Sequence, residues 1–145
     1  MIELNIAACS VNKYYRNVGN RVCISADGRI FKKKIDLLLN NYEKTIGKIK
    51  LTLHFYFRDN RKRDADNYLK VLIDCLKNKL FEDDDQIYIL EVKKFIGCMD
   101  KICIDVRNLN EIENKEIDDL KEEGIKLKKI EKDKLKEQKS KLKNI

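Results

Sequence analysis

Ile49, Leu51, Leu53, Phe55 and Phe57 alternate strictly with Lys50, Thr52, His54 and Tyr56. A period of two over nine residues predicts a strand with one face in the core. Further on, Leu69, Leu72, Ile73, Leu76 and Leu80 recur at spacings of three and four, which predicts a helix over about Asp66 to Lys79 with its apolar side toward that strand. Ile87 to Val92 and Ile102 to Val106 read as two more strands, with Gly97-Cys98-Met99-Asp100 as a hairpin turn between them. A helical crossover between the strands ending near Phe57 and starting at Ile87 predicts parallel pairing with a right-handed connection.

The N-terminal part is less regular. Ile2 to Ile6 alternates as a half-buried strand and leads into a loop, Ser10 to Asn17. From about Ser25 to Gly47 the pattern turns helical, with Ile30, Lys34, Leu37, Leu38 and Asn41 on neighbouring turns. Ser25 or Asp27 can cap its start and Gly47 can close its end. Past Asn110 the chain is rich in Lys, Glu and Ile, with Leu120, Leu127, Leu135 and Leu142 at near-heptad intervals that slip once. A long solvated helix is expected there, and a coiled coil is not established. The fold class is therefore α/β: a small mixed β-sheet with two packed helices, over residues 1–109, plus a long charged C-terminal helix over 110–145.

The chain has 145 residues, 43% hydrophobic and 39% charged, which suits one core-forming domain and a solvated appendage. No apolar run can span a bilayer. No basic leader with an apolar stretch and cleavage site opens the chain, so a cytoplasmic location without membrane association is expected. Five cysteines, with no C-x-x-C pair and His54 as the single histidine, favour buried reduced thiols over a zinc site or disulfides.

The net charge is +7, and residues 1–50 carry 10 Lys/Arg against 4 Asp/Glu while the rest is nearly balanced. That excess is what a protein needs to neutralise a polyanionic backbone, although charge alone also describes a merely basic surface. Candidate phosphate contacts are Lys13, Arg16, Arg21 and Lys32 to Lys34, with Arg61, Lys62 and Arg63 in the polar loop after the long strand.

Against this basic background stand acids in two groups. Asp64 and Asp66 straddle the start of the second helix, Lys70 lies one turn beyond Asp66, and Glu82-Asp83-Asp84-Asp85-Gln86 follows the helix. Carboxylates are the hard ligands that Mg²⁺ or Mn²⁺ takes. Such an ion would activate water near neutral pH and offset transition-state charge, with Lys70 facing the phosphate. For an isolated D-x-D, the plainer reading of a helix cap and a solvated turn prevails. An EF-hand fails, since Leu69 stands where glycine is needed, and no glycine-rich phosphate loop or Ser/His/Asp set is present. A helix of about thirteen residues extends roughly 20 Å, so the acid groups start at opposite ends. They converge only through tilt or breakage of the helix, a loop that folds back, or a second subunit.

Taken together, Arg63-Asp64-x-Asp66-Asn67-x-x-Lys70-x-x-x-Asp74, then Asp83-Asp84-x-Gln86-Ile87 and Lys93, resembles the signature of the RusA family of Holliday junction resolvases. Ser10-x-Asn12-x-Tyr14-Tyr15-Arg16 resembles that family's N-terminal segment. The likeness spans roughly residues 2 to 107. It implies a Mg²⁺-dependent (or Mn²⁺-dependent) homodimer that nicks two strands of a four-way DNA junction symmetrically, in recombination and repair. By motif position it implies metal ligands Asp64, Asp66 and Asp84 with Lys70 as the catalytic lysine, Asp83 and Asp85 standing as neighbours of the third ligand. It places Asn12, Lys13, Tyr14, Tyr15 and Arg16, together with Arg61, Lys62, Arg63 and Asn67, at the DNA. Tyr14 and Tyr15 either stack on an unpaired base or pack against the sheet. The chain lacks the prolines that the family carries before its Asn12 position, and the tail has no counterpart. A junction cut in two symmetric places also calls for a two-fold axis, which a C₂ dimer supplies. The reading from another class is a non-catalytic junction-binding or architectural protein whose acids are structural. A nuclease for other branched or flapped DNA is a third.

Overall fold

The computed structural model describes residues 1–145 and divides into two units, Met1–Asn108 and Leu109–Ile145. In the first unit, β4 (Ile49–Phe57) is the central strand, as its alternation predicts. Ile49, Leu51, Leu53 and Phe55 are wholly buried and Phe57 nearly so, while Lys50, His54 and Tyr56 on the other face stay partly exposed. Around it lie β1 (Ile2–Leu4), β5 (Ile87–Ile96) and β6 (Lys101–Asn108), in the order β1-β6-β4-β5. β5 runs parallel to β4, and the crossover between them contains α3 (Asp66–Leu76). The parallel pairing matches the crossover length.

Gly97 to Asp100 do not form a hairpin turn. β5 and β6 flank β4 on opposite sides, and β6 runs antiparallel to it from Ile49↔Asn108 to Tyr56↔Lys101. The most apolar strand takes partners along both edges, which a β5–β6 hairpin would have denied it. Gly97 adopts φ +79 where the chain leaves β5, and a side chain there would collide with Asn60.

α2 (Ala26–Leu38) begins where expected, with the Ser25 hydroxyl accepting from Gly28 N at 2.9 Å. It ends at Leu38 rather than near Gly47. Gly28, Phe31, Ile35 and the C-cap Leu39 are buried, whereas Ile30, Lys34, Leu37 and Leu38, whose spacing signalled the helix, are exposed. The segment read as a loop is a short helix, α1 (Val11–Tyr14), followed by a hairpin of β2 (Tyr15–Val18) and β3 (Arg21–Ile24). α3 buries Val71, Leu72, Cys75 and Leu76, and its Tyr68 ring lies 4.9 Å from that of Phe57. The other face of the unit's sheet carries Tyr56 stacked on Phe95 at 4.6 Å and a Lys50–Glu91 ion pair at 3.0 Å.

All five cysteines are free, but only Cys9, Cys75 and Cys103 are buried; Cys23 and Cys98 are exposed. The second unit consists mainly of α4 (Glu111–Lys143), opened by a capping box between Asn110 and Glu113 and without a buried residue. No helix is long and apolar enough to cross a membrane.

Candidate active site

Two acids stand at the entrance of α3. The N-cap is Ala65, which offers no side-chain cap, and Asp66 is the first helical residue. Neither Asp64 nor Asp66 is therefore spent as a cap, as the plainer reading of this pair required. Asp64 engages through its carbonyl, which accepts from Asn67 N at 3.2 Å, and both carboxylates are exposed. The helix N-terminus favours negative charge there.

The loop leading to Asp64 is braced. Asp59 accepts from Arg63 at 2.6 and 3.0 Å and from Arg61 at 2.9 and 3.0 Å. Arg63, then Arg61, hold its carboxyl well below the usual carboxylate range. The Arg63 guanidinium also lies 4.6 Å above the Phe57 ring, and its side chain is only 13% exposed. Lys94 Nζ donates to the Arg63 carbonyl at 2.6 Å, next to Asp64. Arg63 thus shapes this loop, whereas Arg61 (79% exposed) and Lys62 present themselves to solvent.

Lys70 is exposed one turn into α3 and borders a cleft of about 420 Å³ lined by Val11, Asn12, Tyr15, Arg16, Asn17, Val22 and Lys70. The fold so brings the lysine to three of the residues expected at the DNA, Asn12, Tyr15 and Arg16. Two consecutive tyrosines dock this N-terminal segment on α3. Tyr15 donates its hydroxyl to Asp74 Oδ2 at 2.7 Å, and Tyr14 accepts at 3.7 Å from Cys75 Sγ. Burial, then the Asp74 carboxylate, pushes the Tyr15 phenol up; burial raises the Cys75 thiol to about 11. Tyr14 is 2% exposed. It is a core residue, which corrects its placement at the DNA.

The second acid group lies past the other end of α3. Eleven residues at a rise of about 1.5 Å make that helix roughly 16 Å long. Asp83 and Asp84 face Lys77, at its C-terminal end, at 3.3 and 3.7 Å. No group of three or more His, Cys, Asp or Glu side chains that could hold a metal forms within the chain, so the structure does not bring Asp84 to Asp64 and Asp66. Gln86 organises this turn. Its side-chain carbonyl accepts from Glu82 N and Asp83 N at 2.8 and 3.1 Å, and its amide donates to the Thr45 and Gly47 carbonyls at 3.0 and 2.9 Å. Sequence reasoning used Gln86 only as a marker. The missed signal was its place at the last position of a capping box begun by Asp83.

Unpaired carboxylates, a lysine one turn away and a cleft lined by Arg16 and Asn12 are the equipment of a site that handles phosphate with a divalent cation. The family model described as endodeoxyribonuclease RusA matches residues 6–107, and the chain belongs to that family. A crossover junction endodeoxyribonuclease RusA of Shigella sonnei (strain Ss046) is 33% identical over 89 residues, 59% of this chain and 74% of that protein. The protein of that name from Escherichia coli (strain K12) is 32% identical over the same shares. One from Enterobacteria phage HK97 is 30% identical over 80 residues, 53% of this chain and 67% of the phage protein.

Proposed function

We propose that this chain is a Mg²⁺-dependent, structure-selective endodeoxyribonuclease that resolves four-way (Holliday) junctions by paired symmetric nicks in DNA recombination and repair. It acts in the cytoplasm, as a C₂ homodimer. The observation that carries the reading is the entrance of α3 in a chain of the RusA family. There, Asp64 and Asp66 are exposed, and Lys70, one turn beyond Asp66, lines a cleft that also presents Asn12 and Arg16.

Asp64, Asp66 and Asp84 would hold the cation, and carboxylate oxygens suit Mg²⁺, with Mn²⁺ an alternative. Bound there, it supplies positive charge to the phosphate under attack. Lys70 offers a second, fixed charge to the scissile phosphate. Arg16, Asn12, Lys13, Arg61, Lys62 and Asn67 hold the sugar-phosphate backbone without reading bases, which suits recognition of a branched shape. The opposite placement of the acid groups along α3 favours a site shared across the dimer, with Asp84 from one subunit completing the pair on the other. Two such sites related by a two-fold axis make two symmetric cuts.

The test compares cleavage of a four-way junction, a flap and a linear duplex by one preparation, with and without Mg²⁺. Paired nicks confined to the junction are expected, lost in Asp66→Asn and Lys70→Ala while junction binding survives. Tight junction binding with no cleavage under any divalent ion would instead establish the architectural reading.

A further inference from the structure

Lys70 has an acid one helical turn away on each side, Asp66 before it and Asp74 after it. Residues four apart on a helix are neighbours, and opposite charges there ordinarily pair. Lys70 pairs with neither; its recorded neighbour is the Tyr15 ring, 5.5 Å from Nζ. Asp74 is engaged elsewhere, accepting the Tyr15 hydroxyl at 2.7 Å. One side chain therefore touches both members of the potential pair. Tyr15 is itself fixed, since its ring meets Tyr14 edge-on at 4.7 Å and Tyr14 is buried in the core.

We propose that Tyr15 is a positioning residue for the cleavage reaction: it anchors Asp74 through its hydroxyl and lies against the Lys70 ammonium with its ring, keeping the lysine unpaired and open to phosphate in the cleft. In this arrangement the Tyr15 ring is engaged by Tyr14 edge-on and by the Lys70 ammonium over its face. A cation over an aromatic face retains its charge for an incoming anion, whereas a carboxylate partner cancels it. The inference rests on Lys70 acting at the scissile phosphate.

Tyr15→Phe, Lys70→Ala and the double variant Tyr15→Phe/Asp74→Asn, each in the full chain with Mg²⁺ and a four-way junction, test it. Tyr15→Phe keeps the ring and frees Asp74 to capture Lys70. A pair of this kind is worth a few tenths to about 1 kcal/mol, so kcat falls about two- to fivefold with KM for the junction unchanged. The double variant removes the captor and restores kcat. A Tyr15→Phe enzyme with wild-type kcat, or a double variant as slow as the single one, overturns the proposal. If Lys70→Ala cleaves normally, it is the role of Lys70 that fails; if that variant is inactive and Tyr15→Phe is unaffected, only the Tyr15 inference does. NMR of the folded wild-type chain gives a check that needs no variant. The Lys70 ε-methylene protons are expected upfield in the ring current of Tyr15, and unshifted signals would overturn the arrangement.

Discussion

Gly28→Ala places one methyl group where α2 meets the segment that carries Tyr14 and Tyr15. Gly28 is buried, and a Cβ built on it meets the Tyr14 carbonyl oxygen and carbon and lies 2.8 Å from Ile24 Cγ2. The nearest obstacle is backbone, so no rotamer change relieves it. The same carbonyl accepts from Ser25 N at 2.7 Å, and displacing it weakens the capping turn of α2. Overpacking of this kind costs about 1–3 kcal/mol and the strained hydrogen bond about 1 more, against a gain of about 0.5–1 from replacing glycine within a helix. The net expectation is destabilisation by about 1–3 kcal/mol, or a fall in melting temperature of roughly 4–8 °C per kcal/mol for a unit of this size. Gly124→Ala in α4 is the matched control. Nothing lies within 4 Å of its added Cβ, so only the helix-propensity gain of about 0.5–1 kcal/mol remains, and helicity at 222 nm rises or persists to higher temperature. Urea denaturation followed by tyrosine fluorescence reads the first variant, since all six tyrosines lie in the Met1–Asn108 unit. A Gly28→Ala midpoint at or above wild type would refute the argument from close approach.

A shared site predicts complementation. Asp66→Asn and Asp84→Asn are each inactive alone, yet their mixed dimer holds one intact site and nicks one strand, and a mixture that stays inactive argues for acids from a single subunit. Asp59→Asn removes a carboxylate whose folded value is depressed by Arg63 and Arg61. Its contribution is whole above the ordinary value of 3.8 and is lost as pH falls through the lowered folded one. The stability gap between wild type and variant is then constant at neutral pH and closes in acid; a gap that widens there contradicts the pairing. Gln86→Ala, which deletes four hydrogen bonds at the acidic turn, should cost about 1–3 kcal/mol in urea denaturation and weaken Mg²⁺-dependent cleavage; unchanged stability would show the turn holds without it.

The central strand and the helix after it were legible because each repeats one clear period over nine or more residues. β4 alternates without a break, and α3 places its leucines at one face. The parallel pairing followed from the length of the crossover. Strand order did not, because hairpin signals are local and the position of β6 is decided by the unfilled edge of β4. The spacing that signalled α2 did not mark its buried side, because Gly28 counts as neutral in a hydrophobic pattern although it lies against the Tyr14 carbonyl. The β2–β3 hairpin hid behind polar residues: Arg16, Asn17 and Arg21 occupy strand positions that are exposed throughout. At the site, spacing identified Asp64, Asp66 and Lys70 as neighbours at one helix end. It gave no means of telling Tyr14 from Tyr15, since the difference depends on which residue of α3 each one meets.

For a site built from both ends of α3, the helix serves as a ruler. Adding one residue within it lengthens the separation by about 1.5 Å and turns everything beyond by about 100°, so a single insertion or deletion between Asp66 and Lys70 would throw Lys70, Asp74 and the acidic turn out of register with Asp66 together. The turn from Lys77 to Glu82 has no such periodic constraint. Descent with changes of length should therefore leave α3 at constant size and concentrate gained or lost residues in the segment after it.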